Sequence, residues 1–151
     1  MHIFIAAILV LIDQVTKIVA QQKLMLSEPI VLINNFLQLN YVENRGAAFG
    51  ILQNQRLFFI LMTFAVLGAI VIFRYKNNSL TRLSRYILDF MIAGAIGNLI
   101  DRVRLTYVID FIDINFWGFY DFPVFNFADI FLVCATILLS LLVILDKHEL
   151  G

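Results

Sequence analysis

The sequence has little charge, one cysteine and two histidines. Only 15% of its 151 residues are charged, and eleven basic side chains balance eleven acidic ones, so the formal net charge is zero. Nucleic-acid-binding domains carry a basic surface, and we therefore expect no nucleic-acid partner. The lone Cys134 excludes an internal disulfide and a cysteine-based metal site, and we predict no metal and no cofactor.

Apolar residues, by contrast, make up 62% of the chain, and the mean hydropathy is +0.90. An ordinary soluble domain is only about half apolar. A helix needs about 20 mostly apolar residues to cross a bilayer, and four segments meet this length: 3–20, 57–73, 87–103 and 127–145. We predict a mainly α-helical membrane protein, with four transmembrane helices in a single domain that spans residues 1–151.

The basic residues of the loops predict the orientation in the membrane. Four of them, and no acid, lie between the second and third segments: Arg74, Lys76, Arg82 and Arg85. Acidic residues follow the third segment instead, at positions 110, 113 and 121. Because cytoplasmic loops retain an excess of Lys and Arg, we expect both termini in the cytoplasm. Residues 24–56 and 105–126 would then be extracytoplasmic.

Both predicted outer stretches have internal patterns. Residues 37–42 mostly alternate between apolar and polar, which is typical of a half-buried strand, and Asn34 and Asn35 separate them from an apolar run at 30–33. We predict a small extracytoplasmic β-sheet, built as a hairpin between the first two helices, on the membrane surface. Residues 116–125 are rich in Phe, Trp and Tyr, which favours either a passive interfacial belt or a lid.

Several polar residues fall inside the predicted spans. A charged side chain there costs at least about 2.5–3.5 kcal/mol, so each one needs a partner or a function. Asp13 and Lys17 are four residues apart, on one helix face, and form either a structural ion pair or part of a site. Gly94, Asn98 and Arg102 also recur at intervals of four. Their structural alternatives are close helix packing, an interhelical hydrogen bond and a snorkelling arginine.

Two acids lie near the outer ends of the spans. Asp110 is set in the apolar run 108–112, where the loss of solvation raises the pKa of a carboxyl group. Asp129 follows Asn126 by three residues at the start of the fourth segment, which is also the spacing of a capping box. Two carboxylates that act on one water can hydrolyse a peptide bond.

Other chemistry has less support. His2 and His148 lie at the predicted cytoplasmic ends, so neither reaches an outer site as a general base or a zinc ligand. Buried acids also mark proton relays, and a small proton-coupled transporter is therefore the alternative function. Few polar residues continue toward the cytoplasmic face in the second and fourth segments: Thr63, Thr136 and Ser140.

Five short motifs follow one another along the chain. They are Asp13-Gln-Val-Thr-Lys17, Asn44-Arg-Gly-Ala-Ala-Phe-Gly50, Gly94-Ala-Ile-Gly-Asn-Leu-Ile-Asp-Arg102, Val108-Ile-Asp-Phe111 and Phe122-Pro-Val-Phe-Asn-Phe-Ala-Asp129. In their order and in their positions relative to four spans, they resemble the lipoprotein signal peptidases of bacteria, also called type II signal peptidases. The resemblance covers nearly the whole chain.

The resemblance implies an aspartic endopeptidase that removes the signal peptide from diacylglyceryl-modified prolipoproteins, cleaving just before the lipidated cysteine. Asp110 and Asp129 would be the catalytic pair. Residues 44–49 and seven single residues would bind substrate or support the pair: Asp13, Lys17, Asn44, Gly46, Asn98, Arg102 and Asn126. The resemblance also implies a bacterial inner or plasma membrane location, an active site near the extracytoplasmic face, contact with membrane lipids and inhibition by globomycin-type cyclic peptides.

Overall fold

The computed structural model describes residues 2–47 and 51–149. It contains seven elements within those ranges: α1 (His2–Leu24), β1 (Ile30–Ile33), β2 (Leu37–Asn44), α2 (Arg56–Lys76), α3 (Arg82–Leu105), β3 (Val108–Ile114) and α4 (Phe127–Ile144). All four helices are long and apolar enough to cross a membrane, which confirms the four predicted spans. The first three helices run several residues past the predicted ends, because polar and basic residues such as Arg74 and Arg82 continue the helical backbone.

The third helix is the centre of the bundle. Half of its span is buried, against 22% for α1, 11% for α4 and 6% for α2. Its glycines permit this close packing, as the sequence predicts. A Cβ atom added to Gly97 would lie 2.5 Å from the Asp13 carboxylate, and one added to Gly94 would collide with the carbonyl oxygen of Ala128. Helices α1 and α4 therefore approach α3 at positions where a side chain does not fit.

The strands form one antiparallel sheet in the order β1-β2-β3. Strands β1 and β2 form the predicted hairpin, and Asn35 in its turn has a left-handed backbone (φ 58°) that asparagine tolerates. The sequence pattern predicts only these two strands, between the first two helices, and does not predict the third strand of the sheet. That strand, β3, comes from between α3 and α4, and its Asp110 lies opposite Val42 of β2.

The sheet lies where α1 and α3 end and where α2 and α4 begin. Buried side chains join it to the helices: Phe111 of β3 packs with Ala20 and Leu24 of α1, and Phe127 of α4 packs against this cluster. This contact fixes β3 directly above the first turn of α4. As a result, the middle of β3 and the N-terminus of α4 face the same space.

Candidate active site

Asp110 lies on β3 with only 2% of its surface exposed. Two asparagine amides hold its carboxylate: Asn44 Nδ2 donates to Oδ2 at 2.9 Å, and Asn126 Nδ2 donates to Oδ1 at 2.6 Å. Burial, followed by the nearby charge of Asp129, raises the pKa of Asp110 to about 7. The sequence prediction of a raised pKa is therefore confirmed, and Asp110 exchanges a proton near neutral pH.

Asp129 occupies the first turn of α4. The predicted capping box is present: the Asn126 side chain accepts from the Asp129 backbone N–H at 3.0 Å, and Asp129 Oδ2 accepts from the Asn126 N–H at 3.2 Å. The second oxygen, Oδ1, accepts at 2.7 Å from Asn98 Nδ2 of α3. Asp129 therefore completes the capping box of α4 and also belongs to a polar cluster with α3.

Two asparagines connect the aspartates. Asn126 Nδ2, which bonds Asp110, also lies 3.2 Å from Asn98 Oδ1, and Asn98 bonds Asp129 through its own Nδ2. Both asparagines are buried. Since each amide has one donor end and one acceptor end, this chain of hydrogen bonds fixes the orientation of both amides and links the two carboxylates.

A buried ion-pair network lies directly behind this cluster. Lys17 Nζ contacts the carboxylates of Asp13 and Asp101 at 3.0 Å each, and it donates to Asn98 Oδ1 at 2.9 Å. The predicted pairing of Asp13 with Lys17 is therefore present, with Asp101 as a third member. Lys17 and Asp13 are almost fully buried. Loss of the Lys17 charge would therefore leave buried carboxylates without a cation, which is strongly destabilising.

The network also positions the backbone beside each candidate aspartate. Asp13 accepts at 2.9 Å from the N–H of Ala128, the residue before Asp129. Asp101 accepts at 3.1 Å from the N–H of Ile109, the residue before Asp110. One lysine with its two acids thus sets both strand β3 and helix α4 in register with α1 and α3.

Both aspartates line a cavity of about 400 Å³. Helix α3 forms its floor with Gly94 and Ala95, and α2 and α4 form its sides with apolar residues such as Met62 and Leu132. The aromatic stretch contributes Phe122 and Phe125 to the rim, whereas Trp117 stacks on Phe36 of the hairpin at 5.1 Å between ring centroids. The aromatic residues therefore divide into cavity-lining residues and residues that pack on the sheet.

The remaining residues singled out in the sequence surround the same cavity. Arg102 lies over the Phe59 ring, 4.7 Å from its centroid, and its guanidinium reaches the Gly46 carbonyl at 3.5 Å. The Gly46 N–H donates to Asn44 Oδ1 at 3.0 Å, which turns the Asn44 amide toward Asp110. All nine predicted site residues thus belong to one cluster or its supporting network, while positions 48–50 of the second motif lie outside the described residues.

Two further residues support the site and were not predicted from the sequence. Gln14 bridges the Asp13 and Asp101 carboxylates and the Gly97 carbonyl through its Nε2, at 3.1–3.2 Å. Arg56 donates to the carbonyls of residues 102 and 103 at the end of α3. Gln14 lies within the first motif and next to a buried acid, which was the available signal. The role of Arg56 depends on tertiary contact alone.

The two carboxyl groups at the cavity are suited to proton transfer. Within residues 2–47 and 51–149, no three His, Cys, Asp or Glu side chains are grouped to hold a metal ion. The arrangement instead has two carboxyl groups on one cavity, one of which titrates near neutral pH. Such a pair can share a proton and act on a single water molecule.

The chain is similar over nearly its whole length to one family. The model of the family described as signal peptidase (SPase) II matches residues 5–145. The lipoprotein signal peptidase of Caldanaerobacter subterraneus subsp. tengcongensis is 49% identical over 145 residues, which cover 95% of this chain and 96% of that protein. The lipoprotein signal peptidase of Clostridium acetobutylicum is 41% identical over 151 residues, 99% of this chain and 98% of that protein. A bacterial membrane enzyme solved by the in meso method at 2.3 Å resolution has a TM-score of 0.88 and 38% identity, covering 97% of this chain and 88% of that one.

Proposed function

The chain belongs to the signal peptidase II family, and we propose that it works as an aspartic peptidase with Asp110 and Asp129 as its catalytic pair. Its function is to remove signal peptides from prolipoproteins. It is a multi-pass bacterial membrane protein. Neither the family nor the relatives support the alternative of a proton-coupled transporter.

One observation carries the aspartic mechanism. Asp110 and Asp129 come from different elements, yet both carboxylates line the same cavity and are linked through Asn126 and Asn98. The cavity floor and sides are otherwise mostly apolar. Two carboxyl groups in such an environment do not both ionise readily, so they share one proton.

The proton is assigned to Asp110. The backbone N–H of Asn126 and the positive end of the α4 dipole favour the carboxylate form of Asp129, whereas the carboxyl group of Asp110 is held by two neutral side-chain amides and lies away from a helix N-terminus. Asp129 then removes a proton from the attacking water, and Asp110 donates its proton to the oxygen of the scissile carbonyl. When the C–N bond breaks, Asp129 passes its proton to the leaving amine and Asp110 recovers one from the tetrahedral carbon's hydroxyl. The products are a signal peptide with a new carboxyl group and a mature chain with a free amine.

The substrate enters from the lipid phase, between α2 and α4. These two helices are largely exposed and flank the catalytic cavity on either side of α3. A diacylglyceryl-modified cysteine can keep its acyl chains in the bilayer while the peptide bond before it reaches the aspartates. Each buried methylene contributes about 0.8 kcal/mol of binding, so the lipid provides affinity that a free peptide lacks.

The basic residues of the loop between α2 and α3 support a cytoplasmic position for both termini, with the sheet and the active site on the opposite face. The loop between α2 and α3, at the far end of the bundle from the sheet, lies next to Arg74, Lys76, Arg82 and Arg85. Strand β1 carries four apolar residues that are each about half exposed, which fits a sheet in contact with the lipid interface.

The test is cleavage of a diacylglyceryl-modified prolipoprotein by the purified protein in liposomes. Wild type should release the signal peptide, and Asp110→Asn and Asp129→Asn should release almost none in the same time while they keep the wild-type unfolding temperature. Asp146→Asn is the matched control: it makes the same change at an exposed position with φ 52°, a backbone that asparagine tolerates. Cleavage by either site variant at the wild-type rate would exclude that residue from the chemistry. Globomycin should inhibit the wild type in the same assay.

A further inference from the structure

A second cleft adjoins the catalytic cavity on the side of the sheet. Its volume is about 670 Å³, and its walls include strand β2, strand β3 and the segment that follows β3. The two spaces share Asn44, Ala47, Asp110 and the rim residues 122–124. Asp110 therefore lies at the junction of two clefts, one between the helices and one over the sheet.

The two clefts differ in polarity. The cavity between the helices is lined mostly by apolar residues of α2, α3 and α4. Of the thirteen described residues that line the cleft over the sheet, eight are polar or charged: Gln38, Glu43, Asn44, Gln53, Asp110, Asp113, Asn115 and Asp121. A ligand that occupies both clefts must be apolar on one side of Asp110 and polar on the other.

The cleft over the sheet also carries uncompensated negative charge. Asp113 accepts from Gln38 Nε2 at 2.7 Å, and Asp121 accepts from the Asn115 amide; both donors are neutral, so neither hydrogen bond supplies a positive charge. Glu43, in contrast, pairs with Arg45 at 2.9 Å. No lysine or arginine is among the described residues that line this cleft.

We infer that the cleft over the sheet binds the first residues of the mature chain, those that follow the lipidated cysteine, and that Asp113 and Asp121 make it favour basic residues there. The inference rests on the proposed function. An extended peptide whose scissile bond lies at Asp110 must leave the site in two directions. Its signal-peptide side is apolar and fits the cavity between the helices, so the hydrophilic mature side takes the polar cleft.

The effect is measured on two diacylglyceryl-modified substrates that differ only at the second and third residues after the cysteine. One carries Lys at both positions and the other carries Asp. Wild type should cleave the Lys substrate with a higher kcat/KM, by about two- to fivefold for each position, the range for exposed charge pairs. Because these carboxylates are solvent-accessible, the preference should shrink as the salt concentration rises.

Variants assign the preference to the cleft. Asp113→Asn and Asp121→Asn should each lower the ratio of the two kcat/KM values, and the double variant should bring it close to one. Glu28→Gln is the control, because it removes an exposed acid at the same end of the molecule but outside the cleft. Its ratio should equal that of wild type. Taking a ratio within each variant cancels any general loss of activity.

The outcomes separate the two proposals. If the wild type cleaves neither substrate, the proposed function fails and this inference fails with it. The assignment of the cleft is wrong if the wild type cleaves both substrates equally well at low salt. It is also wrong if the ratio of the two kcat/KM values is the same in all three cleft variants as in wild type. In both cases the proposed peptidase function is unaffected. A preference that Glu28→Gln abolishes would also overturn the assignment.

Discussion

The hydrogen bond from Asn44 to Asp110 should set the pH at which the enzyme loses activity. In the proposed mechanism Asp110 must be protonated, so the rate falls as the pH rises above its pKa, which is about 7. The Asn44 amide donates at 2.9 Å to the charged form of Asp110 and therefore lowers that pKa. Asn44→Ala removes the donor, and the pKa should rise.

The size of the change follows from the burial of Asp110. A hydrogen bond to a charged group is worth about 1.5–3 kcal/mol, and 1.36 kcal/mol corresponds to one pKa unit. Because only 2% of Asp110 is exposed, water replaces little of the lost bond. The alkaline limb of the pH–rate profile should therefore move upward by about one to two pH units.

The assay is kcat/KM for a diacylglyceryl-modified prolipoprotein, measured between about pH 5 and about pH 10 in buffers of equal ionic strength. This range extends about two to three pH units to either side of the wild-type alkaline limb. Asn34→Ala, in the hairpin turn outside the catalytic cavity, is the matched control and should leave the profile in place. An alkaline limb that stays at its wild-type pH in Asn44→Ala, or moves downward, would refute the reasoning. Movement of the acidic limb alone would reverse the roles of the two aspartates.

Three further changes test the packing and the periphery of the site. Gly97→Ala should destabilise the protein by about 1–3 kcal/mol, because its new Cβ would collide with the Asp13 carboxylate. Gly68→Ala is the control and should not destabilise the protein, because its Cβ would lie in open space. Thermal unfolding in detergent compares the two variants. Lys17→Met should cost about 3–5 kcal/mol in the free energy of unfolding by leaving buried acids unpaired, and a loss below about 1 kcal/mol would contradict the network. Trp117→Ala should keep the wild-type kcat in detergent, because Trp117 packs on Phe36 rather than on the catalytic cavity; a slower turnover would favour a lid.

Much of the fold can be predicted from local patterns in the sequence. The four spans follow from apolar length, the hairpin follows from alternation around Asn34 and Asn35, and the capping box follows from the spacing of Asn126 and Asp129. Each of these signals lies within a few residues or one helix. Glycine positions in α3 likewise predicted close helix packing, because a missing side chain is visible in the sequence itself.

The third strand could not be read in the same way. Residues 108–112 are apolar around Asp110, and this pattern indicates a buried acid without distinguishing a strand from other buried backbone. Its partner, β2, lies more than 60 residues earlier in the chain, so the pairing depends on how α1 and α3 bring the two segments together. For the same reason, the chain of hydrogen bonds from Asp110 through Asn126 and Asn98 to Asp129 is visible only in three dimensions.

Buried charge was predicted in part. The spacing of Asp13 and Lys17 indicated a pair, but the third member, Asp101, comes from another helix. Asp89 is likewise buried in α3, and its carboxylate pairs with Arg74 of α2 at 2.5 Å. Partners on neighbouring helices cannot be identified from spacing along one helix.

If Asp110 and Asp129 act together on one water, replacing both should do no more harm than replacing either one. The most direct measurement is the single-turnover cleavage rate of the diacylglyceryl-modified substrate by Asp110→Asn, Asp129→Asn and the double variant. Each single variant should lose about 10²–10⁴-fold or more, and the double variant should be no slower than the slower single variant. A catalytic pair would be contradicted if the rate loss of the double variant equalled the product of the two single losses, or if either single variant kept the wild-type rate.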